Sequence, residues 1–417
     1  MLSGRRFRVE FTDEQAEFAE RIGSVSRAVW NTGLAQRREY RRRGAWINYR
    51  EQAHELVDAK EEHAWLKEVP GHCLQQALID LDEACRRHGT FRVRWRSTRR
   101  WAPSFRFPEG SKMAVEKLNR RTWRVKLPKL GYVKFRGSRS LDGETIRSAT
   151  VSRDGGRWFV SFLVDDLMTT PEEHLVPGSA VGVDRGVAVA VATSDGDLID
   201  RQFVTAGERR RTVVLQRKLS HTAKNSKNRT KIKAALAKLR TAERHRREDF
   251  CAQTAHRLAH ANAAVVYEDL KTKQMTRRAK PVEDPDHPGH FLPNGAGSKS
   301  GLNRSILGKG WYRFEQSLTS VARYTGTRVV KVPAAFTSQR CSVCRHVDPK
   351  SRESQAVFRC IHCLRPAEHA DVNAAKNILA AGLAVTACRE AATPASVAVT
   401  STQEPAGNRE ELLLQPV

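Results

Sequence analysis

Short runs in which apolar and polar residues alternate dominate the first 165 residues of the chain. Such alternation has the two-residue period of a half-buried strand. It begins with RRFRVEF at residues 5–11, and Asp154-Gly155-Gly156 between two later runs predicts a tight hairpin turn. The runs after residue 90 are FRVRWR, SFRF, TWRVKL, YVKF, IRSATVSR and RWFVSFLV. They predict a small β-barrel with many Arg and Lys residues on one face.

A helical period interrupts these strands between residues 12 and 88. Thr12 and Gln15 have the spacing of a capping box at a helix start. Because strands precede and follow this region, we expect a helical insertion at about 12–88 within a barrel domain that spans residues 1–170. Residues 165–180 have neither period and contain two prolines, so they predict a domain boundary.

Continuous apolar runs mark the second domain, predicted over residues 178–336. One run ends at Asp184 and a second strand is expected from Val187 to Thr193, while AAVVYEDL brings Glu268 to the end of a later strand. A strand meander whose first strand presents an Asp is typical of the start of an RNase H-like fold. Residues 276–304 are rich in Pro, Gly and charge, and they predict a mobile loop.

The charge balance points to a polyanionic partner. Lys and Arg number 73 against 46 Asp and Glu, which gives a formal net charge of +27. Segment 205–262 predicts a long helix or helical hairpin, and between residues 209 and 247 it carries fifteen Lys and Arg and one acid, Glu243. We therefore expect contact with a nucleic-acid backbone there. A solvated coiled coil is the alternative, although it would alternate its charge signs.

Two Cys-x-x-Cys pairs with fifteen residues between them lie near the end of the sequence. Each pair directs two thiolates at one point, and two pairs complete the tetrahedral shell that suits Zn²⁺. Two disulfides are the alternative, but no secretion signal is present and no apolar run approaches the roughly 20 residues of a membrane span. The sequence predicts a cytoplasmic protein with one structural zinc ion in a zinc ribbon over residues 337–366. The expected ligands are Cys341, Cys344, Cys360 and Cys363.

Three acids lie at comparable places in the predicted elements. Asp184 and Glu268 each end a predicted strand, and Asp371 opens an Ala-rich helix. Phosphodiester hydrolysis with two divalent metals needs acids that converge from separate elements and hold the ions about 3.5–4 Å apart. Mg²⁺ prefers carboxylate ligands, so three acids can suffice. Asp269 is adjacent to Glu268 but is expected to face the other side of its strand.

Taken together, these motifs resemble those of a known family. GVDRGV (182–187), VVYEDL (265–270), the four cysteines and HADVNAAKNIL (369–379) look like the split RuvC nuclease motifs and inserted zinc ribbon of transposon-encoded TnpB proteins. Those proteins are RNA-guided DNA endonucleases, and compact type V CRISPR effectors are similar to them. The resemblance covers roughly residues 5–380, in the order acid, basic helix, acid, two cysteine pairs, acid.

The resemblance implies an α+β, multidomain fold: an N-terminal β-barrel (wedge-like) with a helical insertion, then an RNase H-like (RuvC) α/β domain with an inserted zinc ribbon. Residues 367–388 would complete the RuvC-like domain. The barrel would recognise a short motif beside the target, and basic surfaces would hold the guide RNA and its heteroduplex with the target strand. Residues 389–417 have no pattern that a core could use and predict a disordered tail.

Carried over by position, the resemblance implies that Asp184, Glu268 and Asp371 are the catalytic acids and that they hold two Mg²⁺ ions. It implies guide RNA and target double-stranded DNA as partners in a prokaryotic, nucleoid-associated setting, and it leaves a homodimer open. Asn373 would help to orient the third acid. Family members often have Gly after the first cysteine pair, where this sequence has Arg345, and Leu364 follows the second pair; these differences affect knuckle turns rather than ligands.

The predicted function is therefore RNA-guided DNA cleavage by a transposon-associated, metal-dependent endonuclease. A compact type V CRISPR effector and a guided or unguided DNA-binding regulator without cleavage are the alternatives. A junction resolvase or transposase that acts as protein alone would have the same nuclease fold. A zinc-ribbon transcription factor would explain the cysteines but leave the three acids without a role.

Overall fold

The protein forms two compact units. The computed structural model describes residues 1–98 and 101–392. The first unit comprises Met1–His174, Arg201–Ala255 and Thr319–Gly326, and the second comprises Leu175–Asp200, His256–Leu318 and the residues from Thr327 onward. None of the helices in the described ranges has the length and apolar composition that a bilayer crossing needs.

Fourteen strands are present in the described residues. They are β1 Leu2–Glu10, β2 Ser104–Phe107, β3 Val115–Lys117, β4 Thr122–Leu127, β5 Gly131–Arg136, β6 Thr145–Asp154, β7 Arg157–Asp165, β8 Ala180–Asp184, β9 Val191–Thr193, β10 Leu198–Ile199, β11 Ala264–Glu268, β12 Arg328–Val332, β13 Val357–Phe358 and β14 Glu368–His369.

Ten α-helices lie between and after these strands in the same described ranges. They are α1 Asp13–Arg42, α2 Tyr49–Glu62, α3 Ala64–Glu68, α4 Gly71–His88, α5 Ala206–His221, α6 Lys227–Ala261, α7 Thr272–Met275, α8 Ala296–Lys309, α9 Trp311–Thr325 and α10 Ala370–Ala392, with short 3₁₀ turns at Gly110–Lys112 and Pro349–Ser351.

The first unit is built on a seven-stranded antiparallel sheet in the order β2-β6-β7-β1-β5-β4-β3. Helices α1 to α4 are inserted between β1 and β2, and α1 begins with the predicted capping box of Thr12 and Gln15. The predicted hairpin turn is also confirmed, because Asp154 pairs with Arg157 while Gly155 and Gly156 have φ values of 57° and 78°. Two positive φ values are what a two-residue hairpin turn requires, and glycine adopts them without strain.

Three phenylalanine rings form the centre of this sheet's core. The ring of Phe7 lies 5.1 Å from that of Phe135 and 6.0 Å from that of Phe162, and the latter two are 5.5 Å apart between centroids. All three side chains are at most 2% exposed. Such aromatic pairs add about 0.5–1.5 kcal/mol each beyond the burial of their area, so they stabilise the pairing of strands β1, β5 and β7.

One predicted strand is wrong. FRVRWR, residues 91–96, is not a strand in the structure: residues 91–93 form a turn and a bend, residues 94–96 have no regular secondary structure, and the segment lies along α1. Side chains of α1 satisfy its backbone groups: Asn31 bonds both the N–H and the C=O of Arg96 at 2.9 and 3.1 Å, and Arg38 donates to the C=O of Val93 at 2.8 Å. Because backbone groups must find partners somewhere, these side chains replace the neighbouring strand that the alternation predicts.

The second unit contains a five-stranded sheet in the order β10-β9-β8-β11-β12. Strand β11 runs parallel to both β8 and β12, while β9 runs antiparallel to β8 and to β10. Every residue of β11 is buried, as expected for a central parallel strand. The carboxyl ends of β8 and β11 consequently lie at the same edge of the sheet.

Several predicted boundaries shift. The strand expected from Val187 to Thr193 is restricted to β9, and residues 296–304 of the predicted mobile loop belong to helix α8. The basic segment 205–262 is a helical hairpin, α5 and α6, and Arg201–Ala255 belongs to the first compact unit. Helix α10 continues to Ala392, and the rest of the predicted tail lies outside the described residues.

Candidate active site and metal centre

Two of the predicted acids meet at one edge of the five-stranded sheet. In the parallel register of β8 and β11, Val183 pairs with Tyr267, so Asp184 and Glu268 occupy the next, terminal positions of neighbouring strands. Glu268 is 8% exposed and Asp184 is half-buried. Topology thus brings together two carboxylates that are far apart in sequence.

Helix α10 brings the third acid to this edge. It packs on β8 and β11, and it approaches so closely that a Cβ on Gly182 would lie 2.0 Å from the C=O of Ala375. A Cβ on Gly382 would likewise lie 2.4 Å from the side chain of Val266. Glycine at these two positions therefore permits the close packing that places Asp371, 5% exposed, beside the strand ends.

The electrostatics of the cluster reflect this proximity. Burial and, after it, the nearby charges of Glu268 and Asp371 together raise the pKa of Asp184 to about 7, although Arg352 opposes the rise. Burial also raises the pKa of Glu268, against the lowering effects of Thr337 and Arg185. Like charges at a poorly solvated site favour protonation or the binding of a cation. Carboxylate oxygens in this arrangement are ligands of the kind that Mg²⁺ prefers.

Three further residues contact the acids, and sequence reasoning missed all of them. Thr337 donates a hydrogen bond from its Oγ1 to Oε1 of Glu268, and Arg352 Nη2 donates to Oδ1 of Asp371 at 3.1 Å. Arg185, 4% exposed, donates from Nη2 to the backbone carbonyl oxygen of Glu268 at 2.5 Å. Since Arg185 directly follows Asp184, this bond ties the ends of β8 and β11 to each other.

The four cysteines form a separate centre. Their Sγ atoms all lie within 4.8 Å of one another, and within the described ranges no other group of three or more metal-ligating residues is gathered this closely. The distance from Sγ of Cys341 to Sγ of Cys363 is 3.8 Å, and from Cys344 to Cys360 it is 3.6 Å. A tetrahedral site with Zn–S bonds of about 2.3 Å requires sulfur atoms about 3.8 Å apart. The cluster could therefore bind zinc, and all four thiols are free of disulfides.

Helix α10 is hydrogen-bonded to the segment around the first cysteine pair. Asn373, fully buried, accepts from the N–H of Ser342 at 2.9 Å and donates to the C=O of Arg340 at 2.8 Å. Asn377 donates to the C=O of Thr337 at 3.0 Å. The contacts of Asn373 fix the cysteine segment to the helix that carries Asp371. That Asn373 helps to orient the third acid stays a prediction.

Two sequence neighbours of the acids, Asp269 and His369, have other contacts. Asp269 is ion-paired with Lys271 at 2.5 Å, and its N–H donates to the C=O of Val332. Nδ1 of His369 accepts from the N–H of Asp371 at 3.3 Å. His369 is outside the four-cysteine group.

The two knuckle positions that depart from glycine have left-handed backbone. Arg345 has φ of 65° and Leu364 has φ of 50°. Leucine in this backbone conformation is strained by about 1–2 kcal/mol relative to its preferred region. Glycine would remove the strain, but part of this gain would be offset because glycine loses more backbone entropy on folding. Leu364 is 80% exposed, so its side chain loses little packing if removed. Arg345 differs, because its Nη1 lies 3.5 Å from Oδ1 of Asn377.

We expect Leu364→Gly to stabilise the metal-loaded protein by roughly 0.5–1 kcal/mol. Thermal unfolding and the rate of zinc loss to a chelator measure the effect. Ile361→Gly is the matched control: Ile361 is an exposed aliphatic residue in the same knuckle, without a positive φ, so its replacement should destabilise the protein. Equal effects of the two changes would contradict the strain argument.

Three protein-family models match separate regions of the chain. Residues 1–45 match a family model described as a helix-turn-helix domain, residues 161–279 match one described as a probable transposase of the OrfB_IS605 type, and residues 311–378 match the Cas12f1-like TNB domain. In this protein residues 1–45 contain β1 and the single helix α1. The third match includes all four cysteines and Asp371.

Two relatives match along nearly their whole length. The chain is 34% identical over 394 residues to the "Putative RNA-guided DNA endonuclease InsQ" of Escherichia coli (strain K12), covering 93% of this chain and 94% of that protein. It is 31% identical over 408 residues to a "Putative RNA-guided DNA endonuclease" of Streptomyces pristinaespiralis, covering 94% and 92%.

The fold is similar to that of a solved protein. The cryo-EM structure of the Cas12f1-sgRNA-target DNA complex matches with a TM-score of 0.55 and 14% identity, over 88% of this protein and 83% of that one. This likeness confirms the α+β multidomain fold class. The whole-length relatives and the transposase model together establish the family: the chain belongs to the TnpB family.

Proposed function

We propose that this protein is a transposon-associated, RNA-guided DNA endonuclease that hydrolyses target DNA at Asp184, Glu268 and Asp371. The observation that carries the proposal is the convergence of these acids at one sheet edge, in a protein whose near-full-length relatives are named RNA-guided DNA endonucleases. A strand order of β10-β9-β8-β11-β12 with α10 packed on it fits the RNase H-like (RuvC) domain that the sequence predicts.

The carboxylates would hold two Mg²⁺ ions, which activate water and stabilise the leaving oxygen. The residues around them prepare the site. Thr337 restricts the rotation of the Glu268 carboxylate by donating to one of its oxygens. Arg352 places a positive charge against Asp371 and within electrostatic range of Asp184. This guanidinium lowers the repulsion among the three acids, and its positive charge would attract a phosphodiester that approaches them.

The zinc ribbon supports this site in our proposal. Thr337 precedes the first cysteine pair in the sequence, and Arg352 precedes the second. A Zn²⁺ ion held by Cys341, Cys344, Cys360 and Cys363 would fix the segment that supplies both side chains. With all four positions filled by protein, such an ion has a structural role.

Two surfaces of the first unit fit nucleic acid. The α5–α6 hairpin carries most of the basic residues of segment 205–262, and its α6 helix is 35 residues long. The seven-stranded sheet with its inserted helices occupies the region for which the sequence predicts a barrel. In our proposal this domain recognises the motif beside the target. Base pairing with a guide RNA would then provide the specificity.

The test is to purify the full-length protein, sequence any RNA that accompanies it, and incubate the complex with matching double-stranded DNA and Mg²⁺. We expect one defined RNA species and cleavage of matched DNA only. Cleavage without RNA would instead indicate a nuclease that acts as protein alone. Guided binding without any cut would indicate a regulator.

The pKa of Asp184 gives a further prediction for the metal-free protein. In the unfolded state an Asp ionises near pH 4, whereas in the folded state burial, Glu268 and Asp371 raise the pKa to about 7 and Arg352 opposes them. Between these values the folded state retains a proton that the unfolded state releases. The free energy of unfolding should therefore fall as the pH rises through this window.

Mg²⁺ competes with that proton, so the increase in melting temperature that it produces should grow between about pH 5 and about pH 8. Thermal unfolding with and without Mg²⁺ across this range measures it. In Asp184→Asn the dependence should be flatter, with a remainder from Glu268, whose pKa is raised as well. A Mg²⁺ effect that is independent of pH in the unsubstituted protein would refute the prediction.

A further inference from the structure

A row of alternating arginine and tryptophan side chains follows the carboxyl-terminal half of α1. The guanidinium of Arg96 lies 3.6 Å from the ring centroid of Trp30 and 5.2 Å from that of Trp101. Further along, Arg38 covers the ring of Trp95 at 4.7 Å and Arg41 covers that of Trp46 at 3.6 Å. Energetically significant cation–π contacts occur about once in 70–80 residues, so this concentration along one helix is unusual.

The inner and outer ends of this row differ in exposure. Trp30 is 7% exposed, and burial lowers the pKa of Arg96 to about 10 while Asp80 opposes that shift. That end belongs to the core packing of the first unit. Trp46 is 69% exposed, Phe91 58% and Trp95 47%. These three rings and the guanidiniums of Arg38 and Arg41 are here called the aromatic stripe.

The stripe is held in place rather than loose. Arg38 donates to the C=O of Val93 at 2.8 Å, which fixes the 91–96 segment against α1 while its guanidinium lies on Trp95. Arg38 and Arg41 are three residues apart on the same helix, hence about 4.5 Å along its axis. Arg38 and Arg41 are therefore neighbours on one face of α1, and each has an indole ring against its guanidinium.

Large apolar rings left in water are unfavourable, and an exposed aromatic patch indicates a binding surface. Here the surroundings of the rings decide the kind of partner. Arg92 and Arg94 on the 91–96 segment and Arg42 and Arg43 at the end of α1 are exposed, and Glu39 is the acid paired with the last two. An apolar or basic protein surface would not suit this charge. Exposed ring faces among guanidiniums suit nucleic-acid bases that are not already stacked in a duplex.

We propose that the aromatic stripe binds unpaired nucleotides of the guide RNA by stacking on Trp46, Phe91 and Trp95. The proposal rests on the proposed function for the existence of a guide RNA. A guide RNA that stays bound to the protein would cover these rings continuously. A separated DNA strand would be present only after the target duplex has been opened. Recognition of RNA through splayed bases on aromatic and arginine planes is also the common mode for unpaired segments.

The test uses the full-length protein and a short unpaired RNA oligonucleotide, its RNA duplex, and single-stranded DNA of the same sequence. Trp46→Leu and Trp95→Leu keep an apolar side chain but remove the stacking surface. Each should weaken binding of the unpaired RNA about tenfold, with binding of the duplex changed less than about twofold. Trp46→Tyr retains a flat ring and should bind within about threefold of the unsubstituted protein.

Trp65→Leu is the matched control, since Trp65 is an exposed indole of the same unit, 44% exposed, that stacks on His63. It should leave RNA binding unchanged. Quenching of tryptophan fluorescence by the unpaired RNA should decrease in Trp46→Leu and persist in Trp65→Leu, which separates stacking from a general effect on folding.

The outcomes are distinguishable from failure of the proposed function. A protein that binds no RNA in any form would refute both the proposed function and the stripe. RNA binding that is equal in Trp46→Leu, Trp95→Leu and the unsubstituted protein would overturn the stripe alone. Weaker binding of single-stranded DNA with undiminished RNA binding would overturn the assignment to RNA. An equal loss of binding for the RNA duplex would overturn the stacking of unpaired bases.

Discussion

Alanine at Asp184, Glu268 or Asp371 is expected to lower the rate of guided DNA cleavage by at least about a thousandfold. Each carboxylate would hold a metal whose stabilisation of the transition state amounts to several kcal/mol, and roughly 4 kcal/mol corresponds to that factor. Guide RNA and target binding should remain, because the acids lie at a buried sheet edge rather than on the basic helices. Single-turnover cleavage and binding of matched DNA, measured on the same preparations, separate the two effects.

Asp269→Ala is the control for this series. It removes the acid directly after Glu268, but that side chain is ion-paired with Lys271 outside the cluster. Cleavage by this variant should be close to that of the unsubstituted protein. Normal cleavage by any of the three cluster variants would refute the assignment of the acids.

Removal of zinc is expected to lower the rate of guided cleavage by at least about 10–100-fold, even in the presence of excess Mg²⁺. Structural zinc sites contribute about 10–16 kcal/mol of apparent binding free energy at pH 7, so the cysteine segment should lose its structure without the ion. Thr337 and Arg352 would then lose their contacts with Glu268 and Asp371. Loss of such supporting contacts costs about 10–100-fold in activity or metal affinity. A chelator selective for zinc, followed by elemental analysis and a cleavage assay, measures the effect.

The strands of the first unit should survive this treatment, because their core is separate from the cysteine cluster. Cys360→Ser should have the same effect as the chelator, and zinc added back should restore only the chelated, unsubstituted protein. Cys85→Ala removes a thiol from the core of the first unit and should retain one zinc per molecule. Full cleavage by a zinc-free preparation would show that the ribbon does not support the site.

The four cysteines could be selected from the sequence by their spacing, whereas the three acids are selected by their places at the ends of predicted elements together with the resemblance to the TnpB family. Asp184 and Glu268 end apolar runs, and the cysteine pairs have a fixed spacing. Arg352 and Thr337 have no such pattern. The pairing of β8 with β11 and the packing of α10 bring the acids into contact with these two residues. Nothing around either residue in the sequence distinguishes it from other Arg and Thr residues.

The wrong strand prediction for residues 91–96 has the same cause, because contacts with residues distant in the sequence determine the structure of this segment. Its alternation of apolar and charged residues is that of a strand, yet its backbone partners are Asn31 and Arg38 on a helix some sixty residues earlier. The periodicity of a sequence indicates which side chains are buried. It does not indicate which groups form hydrogen bonds with the backbone N–H and C=O groups. Gly182 gives the converse case, since its lack of a side chain is needed for contact with α10, which begins at Ala370.

The loop between α7 and α8 has a consequence for dividing the protein. It separates β11 from β12, which pair in parallel, and residues 285–290 within it are mostly exposed. A break there would leave Asp184 and Glu268 on one fragment, and Asp371, Arg352 and the cysteine cluster on the other. Neither fragment would carry all three acids of the proposed site, so under this proposal cutting would require the two pieces to reassemble through strand pairing. An inducible dimeriser fused at the new ends would thereby make cleavage conditional on a small molecule.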